Sequence, residues 1–161
     1  MSRHFIYALL MGLGLGLILT NPVHAGDPSL MGYWKFDGDA LDSSGNDRHG
    51  TLQGSPTFGP GIFGEALQLE ADSDYVIIDG YKGIMGTQAF GIAAWVKTTN
   101  TAIGQIMHWG ADLGGARVEF RINSNRLRIS HGDGNVQGNT TLTDGEWYHV
   151  AVSVIENARA F

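Results

Sequence analysis

The sequence predicts an all-β fold, an antiparallel β-sandwich, and three observations predict it. Charged residues make up only 16% of the 161 positions while glycine occurs 24 times, a balance that suits short strands and tight turns better than a helical bundle or a disordered chain. Apolar and polar residues alternate in short runs, and Asp-Gly, Ser-Asn and glycine-rich turn signals separate those runs at roughly even spacing. No stretch after Gly26 carries a helical period over a normal helix length.

The first 25 residues stand apart from this pattern. Arg3 supplies a positive start, Phe5 to Leu19 is an apolar run, and Val23-His24-Ala25 fits a small-x-small cleavage site. The run is short for a membrane span and broken by Gly12, Gly14 and Gly16. It reads as a secretory signal over 1–25, the alternative being an uncleaved anchor. The expectation is an exported domain over 26–161, secreted, periplasmic or on the cell surface, with no stable span after cleavage. There is no cysteine, so neither disulfides nor a thiolate nucleophile is available. A net charge of −6 repels phosphate backbones, which argues against nucleic acid as a partner.

Each element follows from its own pattern. Leu30 to Phe36 reads as a strand, with Trp34 and Phe36 on one face and Tyr33 and Lys35 on the other. Asp37, Asp39, Asp42, Ser43, Ser44, Asn46 and Asp47 then form an oxygen-rich loop punctuated by glycine. Gly54 to Gly64 contains so much Gly and Pro that an irregular excursion is expected. Glu65 to Glu70 and Tyr75 to Ile78 read as short strands. Ala89 to Lys97 is apolar on both faces, as in a central strand. Gly104 to Trp109 is a further strand. Arg117 to Asn123 and Arg126 to Ser130 form a hairpin about a two-residue turn at Ser124-Asn125, which sets Ile122 opposite Leu127 and Phe120 opposite Ile129. The same register sets Arg121 opposite Arg128. Either the two side chains splay into solvent, or an anion or acid sits between them. His131 to Asn139 reads as a loop and Trp147 to Val154 as the last strand, with Val150, Val152 and Val154 inward.

Four motifs in order, YWKFDGDALDSSGNDRHGTL, GIFGEALQLEADSDYVII, FGIAAWVKT and DGEWYHVAVSV, resemble the laminin G-like, concanavalin A-like jelly roll, over nearly all of Leu30 to Val154. The resemblance implies a jelly roll. In that family a turn and a strand bearing Tyr-Val-Asp-Gly follow the WYHVAVSV strand. The expectation here is an incomplete sandwich, with an exposed edge open to self-association, or one completed by a partner copy. The resemblance also implies a structural calcium near the acidic loop. The residues leave two readings open: Asp37, Asp42 and Asn46 as Ca²⁺ ligands, or a turn held by its own hydrogen bonds.

The enzyme reading is weak. The Glu-x-Asp-x-x-Glu strand of glycosidases on this fold is missing, no serine sits in a nucleophile elbow, and the histidines lack metal-ligand spacing. For carbohydrate, Trp109 with Asp112, and Tyr81, are the candidate plate residues at strand ends, whereas Trp34, Trp95 and Trp147 read as core. The functional expectation is a non-catalytic recognition or adhesion module for a glycan or cell-surface protein. The alternatives are a spacer with no ligand of its own and, remotely, a hydrolase remnant.

Overall fold

A computed structural model describes residues 27–86, 88–111, 117–132 and 134–155. The leader, Asp112 and the last six residues lie outside the described residues. Those described contain ten strands and no helix. None of them forms a helix long and apolar enough to cross a membrane.

Two antiparallel pairs come first. β1 (Thr51–Gln53) pairs with β4 (Tyr75–Ile77), and β2 (Thr57–Pro60) pairs with β3 (Glu65–Gln68). The glycine- and proline-rich segment is therefore not wholly irregular. Its Pro60 sits at the end of a strand, where a missing N–H costs no ladder bond.

β5 (Phe90–Lys97) and β10 (Trp147–Val154) pair along their whole lengths, from Phe90 opposite Val154 to Lys97 opposite Trp147. Alternation then sorts their side chains. Phe90, Ile92, Ala94 and Val96 are buried on one face with Val150 and Val154. Trp95, Lys97, Trp147 and His149 share the other face by register.

The remaining sheet has the order β6 (Gly104–Trp109), β7 (Val118–Asn123), β8 (Arg126–His131), β9 (Gly134–Thr141). The β7–β8 hairpin has the predicted register, Ile122 opposite Leu127 and Phe120 opposite Ile129. Ser124 and Asn125 turn it with φ of 49° and 69°, the left-handed pair of a type I′ turn. Val118, Phe120 and Ile122 point into the same apolar cluster as Ile92 and Val96 of β5. The two sheets thus pack face to face as a sandwich.

Three further expectations are corrected. The loop expected over His131 to Asn139 is mostly β9, whose backbone ladder with β8 overrides its Gly/Asn/Gln composition. Thr51–Gln53 is a strand that was not expected. Leu30 to Phe36 is not a ladder strand: it contributes one isolated bridge, Trp34 to Asp42, and the chain breaks from extended geometry at Phe36, where φ is 56°. The alternation nevertheless holds, since Trp34 and Phe36 are buried in the core cluster and Tyr33 and Lys35 are not.

Candidate functional site

Trp95 and Trp147, read from sequence as core, are only half-buried. They stand on the outer face of the β5–β10 pair, where Trp95 packs against His149 with ring centroids 5.1 Å apart. Tyr33, Lys35 and Asp37 of the N-terminal segment approach this face, as do Phe63 to Ala66 at the β2–β3 turn. Together they enclose an open cleft of about 290 Å³. Its lining combines the aromatic Tyr33, Phe63, Trp95 and Trp147 with the charged Asp37, Glu65 and Lys35. Phe63, one of the lining residues, is 72% exposed, an apolar side chain left in solvent.

Local chemistry fixes the cleft wall. The turn between β2 and β3 closes with the Gly61 N–H donating to the Gly64 carbonyl, 2.9 Å. Gly64 has φ +66°, and a Cβ there would come within 2.5 Å of Asp37 Oδ1. Only glycine combines that backbone with that approach. The approach lets Asp37 Oδ1 accept the Glu65 N–H at 2.8 Å, which ties the acidic loop to the turn. Burial pushes the Tyr33 phenol above its ordinary pKa, so it enters the cleft as a neutral hydroxyl able to donate and accept.

Asp37, Asp42 and Asn46 serve different joints. Asp42 is buried. Its Oδ1 accepts the Tyr33 and Ser44 N–H groups, both at 2.9 Å, and its Oδ2 accepts the Ser44 hydroxyl at 2.8 Å and the Arg48 N–H at 3.1 Å. Burial alone would raise its pKa, but these four bonds outweigh it and hold the carboxyl below the usual value. The Asn46 amide donates to the Leu30 carbonyl at 2.8 Å and to Ser44 Oγ at 3.0 Å. Among the described residues no group of three or more His, Cys, Asp or Glu side chains is placed to hold a metal ion.

The candidate plates Trp109 and Tyr81 do not line the cleft. The Trp109 indole donates to the Ile84 carbonyl at 2.8 Å and meets Phe90 edge-on at 5.2 Å. Gly83, at φ +74°, lies so close to this ring that a Cβ would sit 2.2 Å from Cγ. The Tyr81 ring is covered by the Arg48 guanidinium, 3.9 Å from its centroid, a cation–π stack. Burial raises the Tyr81 phenol's pKa, and Arg48 offsets part of that rise. Asp112 lies outside the described residues. Both rings thus have a face occupied by the chain itself.

Sequence reasoning missed the cleft because Trp95 and Trp147 lie in strongly apolar strands. The usable signal was their spacing: Trp95 lies two residues from Lys97 and Trp147 two residues from His149, so each shares a face with a polar member of its strand. A family model described as the concanavalin A-like lectin/glucanases superfamily, of laminin G-like type, matches residues 70–161. No curated protein and no solved structure matches the chain.

Proposed function

Since the chain belongs to the laminin G-like branch of the concanavalin A-like lectin/glucanase superfamily, a generic carbohydrate- or protein-binding module, we propose that it is a non-catalytic lectin-like module that takes a neutral saccharide in the Trp95–Trp147 cleft. The carrying observation is the composition of that cleft, whose lining sets indole, phenol and phenyl groups beside two carboxylates. Sugar rings offer C–H faces that pack on aromatic rings and hydroxyls that bond to carboxylates and phenols. Asp37 and Glu65 outnumber Lys35 in the lining, so the cleft disfavours an acidic sugar.

The non-catalytic reading is supported by the sequence, which lacks the Glu-x-Asp-x-x-Glu strand that sets paired carboxyl groups on one face in glycosidases of this fold. The leader pattern over 1–25 supports an exported protein that meets its glycan outside the cytoplasm.

A glycan array tests the reading. Selective binding of neutral oligosaccharides is expected. Trp95→Ala and Trp147→Ala should each weaken it by about tenfold, with a cooperative melt showing that the variants fold. A folded wild-type chain that binds no saccharide on the array would instead favour a spacer without a ligand.

A further inference from the structure

The four-stranded sheet carries a second polar surface, on the face of the sandwich opposite the cleft. Inward residues of β7 and β8 alternate with Glu119, Arg121 and Arg128. Across the four strands the register aligns Gln105, Arg121, Arg128 and Gln137 in one row. Two arginines therefore stand directly opposite each other at the centre of a sheet, in a chain of net charge −6.

Like charges directly opposite destabilise a strand pair, and only half of this pair is neutralised. Glu119 is 8% exposed. Its Oε2 lies 2.9 Å from Arg121 Nη1 and 3.5 Å from Arg117 Nη2. Among the described residues no carboxylate pairs with Arg128. The Nε atoms of both Arg121 and Arg128 are buried and donate to no acceptor there. The flanking amides are tied back to the sheet: Gln105 donates to the Met107 carbonyl at 3.0 Å and Gln137 to the Asn123 carbonyl at 2.9 Å. Those bonds brace the side chains on either side of the arginines. The Arg121 side chain does not splay into water, being only 16% exposed, and Arg128 is half-buried.

We propose that the Arg121–Arg128 row is an oxyanion-binding site for an acidic polysaccharide, whose carboxylate or sulfate group bridges the two guanidinium forks. The forks match such oxyanions in geometry and charge. The anion supplies to Arg128 the counter-charge that Glu119 gives to Arg121 and Arg117. The site is independent of the aromatic cleft and selects the opposite charge class of ligand.

Affinity electrophoresis of the full chain in native gels tests this, with polygalacturonate, dextran sulfate or uncharged dextran cast into the gel. Retardation by polygalacturonate or by dextran sulfate is expected beyond any given by uncharged dextran, which reports the neutral-saccharide cleft alone; the retarding acidic polymer identifies the oxyanion. Arg128→Gln should weaken it by about tenfold, the usual value of a charge-assisted bond. Arg126→Gln, on the same strand but exposed, should change it by less than about twofold. Arg128 holds no ion pair among the described residues, so its removal should raise Tm by relieving the repulsion, whereas a structural arginine would lower it. The proposal is overturned by an absence of retardation in both acidic gels, by equal losses in Arg126→Gln and Arg128→Gln, or by an Arg128→Gln chain that melts lower and binds unchanged. A Trp95→Ala chain should keep its acidic-gel retardation, which separates failure here from failure of the cleft.

Discussion

Asp42 commits both carboxylate oxygens to the chain, and one substitution tests what that holds. Asp42→Asn keeps one acceptor oxygen and replaces the other with a donor that faces the Ser44 hydroxyl and the Arg48 N–H. Loss of two bonds to a charged group should cost about 2–4 kcal/mol, read as a lower urea midpoint. The pH dependence follows from the same bonds. The folded carboxyl titrates below its ordinary 3.8, so folding favours the ionised form. Its contribution is complete above that value and is lost as pH falls through it toward the folded-state pKa. Asp74 behaves alike: the Ser55 N–H at 2.9 Å leads the bonds that lower its pKa, with those of Ala71 and Glu70 beside it. Tm should therefore drop steeply on acidification below about pH 4, and more gently in Asp42→Asn. An acid limb of unchanged steepness in the variant would remove Asp42 from the account. Because the Asp42 lone pairs already meet protein donors, EDTA should leave the wild-type Tm unchanged. A fall of several degrees would support the calcium reading, since a ligand bound only to the native state must stabilise it by mass action.

At the scale of elements, the β7–β8 hairpin was legible because every local signal agreed: strict alternation, a two-residue polar turn, and one register that buries both apolar sets. Its turn is not the optimum for its geometry. Asn125 sits at φ 69°, where type I′ turns favour Asn-Gly. Asn125→Gly should stabilise the chain by about 0.5 kcal/mol, seen as a small rise in Tm; a fall would mean that Asn125 contributes more through its side chain than its backbone costs. β9 was illegible for the converse reason. Its residues are nearly all exposed, so no hydrophobic period marks it, and only the neighbouring edge of β8 makes it a strand. The Leu30 to Phe36 segment shows a third case. Alternation there predicts which side chains are buried, yet pairing depends on what lies alongside, and only Trp34 finds a bridge partner. The candidate site divides in the same way. Asp37 appears in both readings because it stands at the junction of loop and turn, while Trp95 and Trp147 become visible only when the β5–β10 register puts them on the outer face.

For the whole molecule, the absence of cysteine leaves the apolar core as the principal source of cohesion. That core is shared: Trp34 and Phe36 come from the N-terminal segment, Leu67 from β3, Ile92 and Val96 from β5, Phe120 and Ile122 from β7, and Val150 from β10. A cluster drawing on so many elements should couple them into one cooperative unit. Phe120 is fully buried, so Phe120→Ala should cost about 3–5 kcal/mol, a large share of the 5–15 kcal/mol typical of a domain. In urea the tryptophan fluorescence reports segments on both sides of the sandwich, and far-ultraviolet circular dichroism reports the strands. The two transitions should coincide in the wild type and shift together to lower urea in Phe120→Ala, with the slope unchanged. Separate transitions would mean that the sheets unfold independently. The cleft on one face and the arginine row on the other would then be carried by separable layers, and loss of one layer would leave the other site's binding intact. Coincident transitions would instead require both sites to disappear at one urea concentration, because each depends on the side chains that hold the two sheets together.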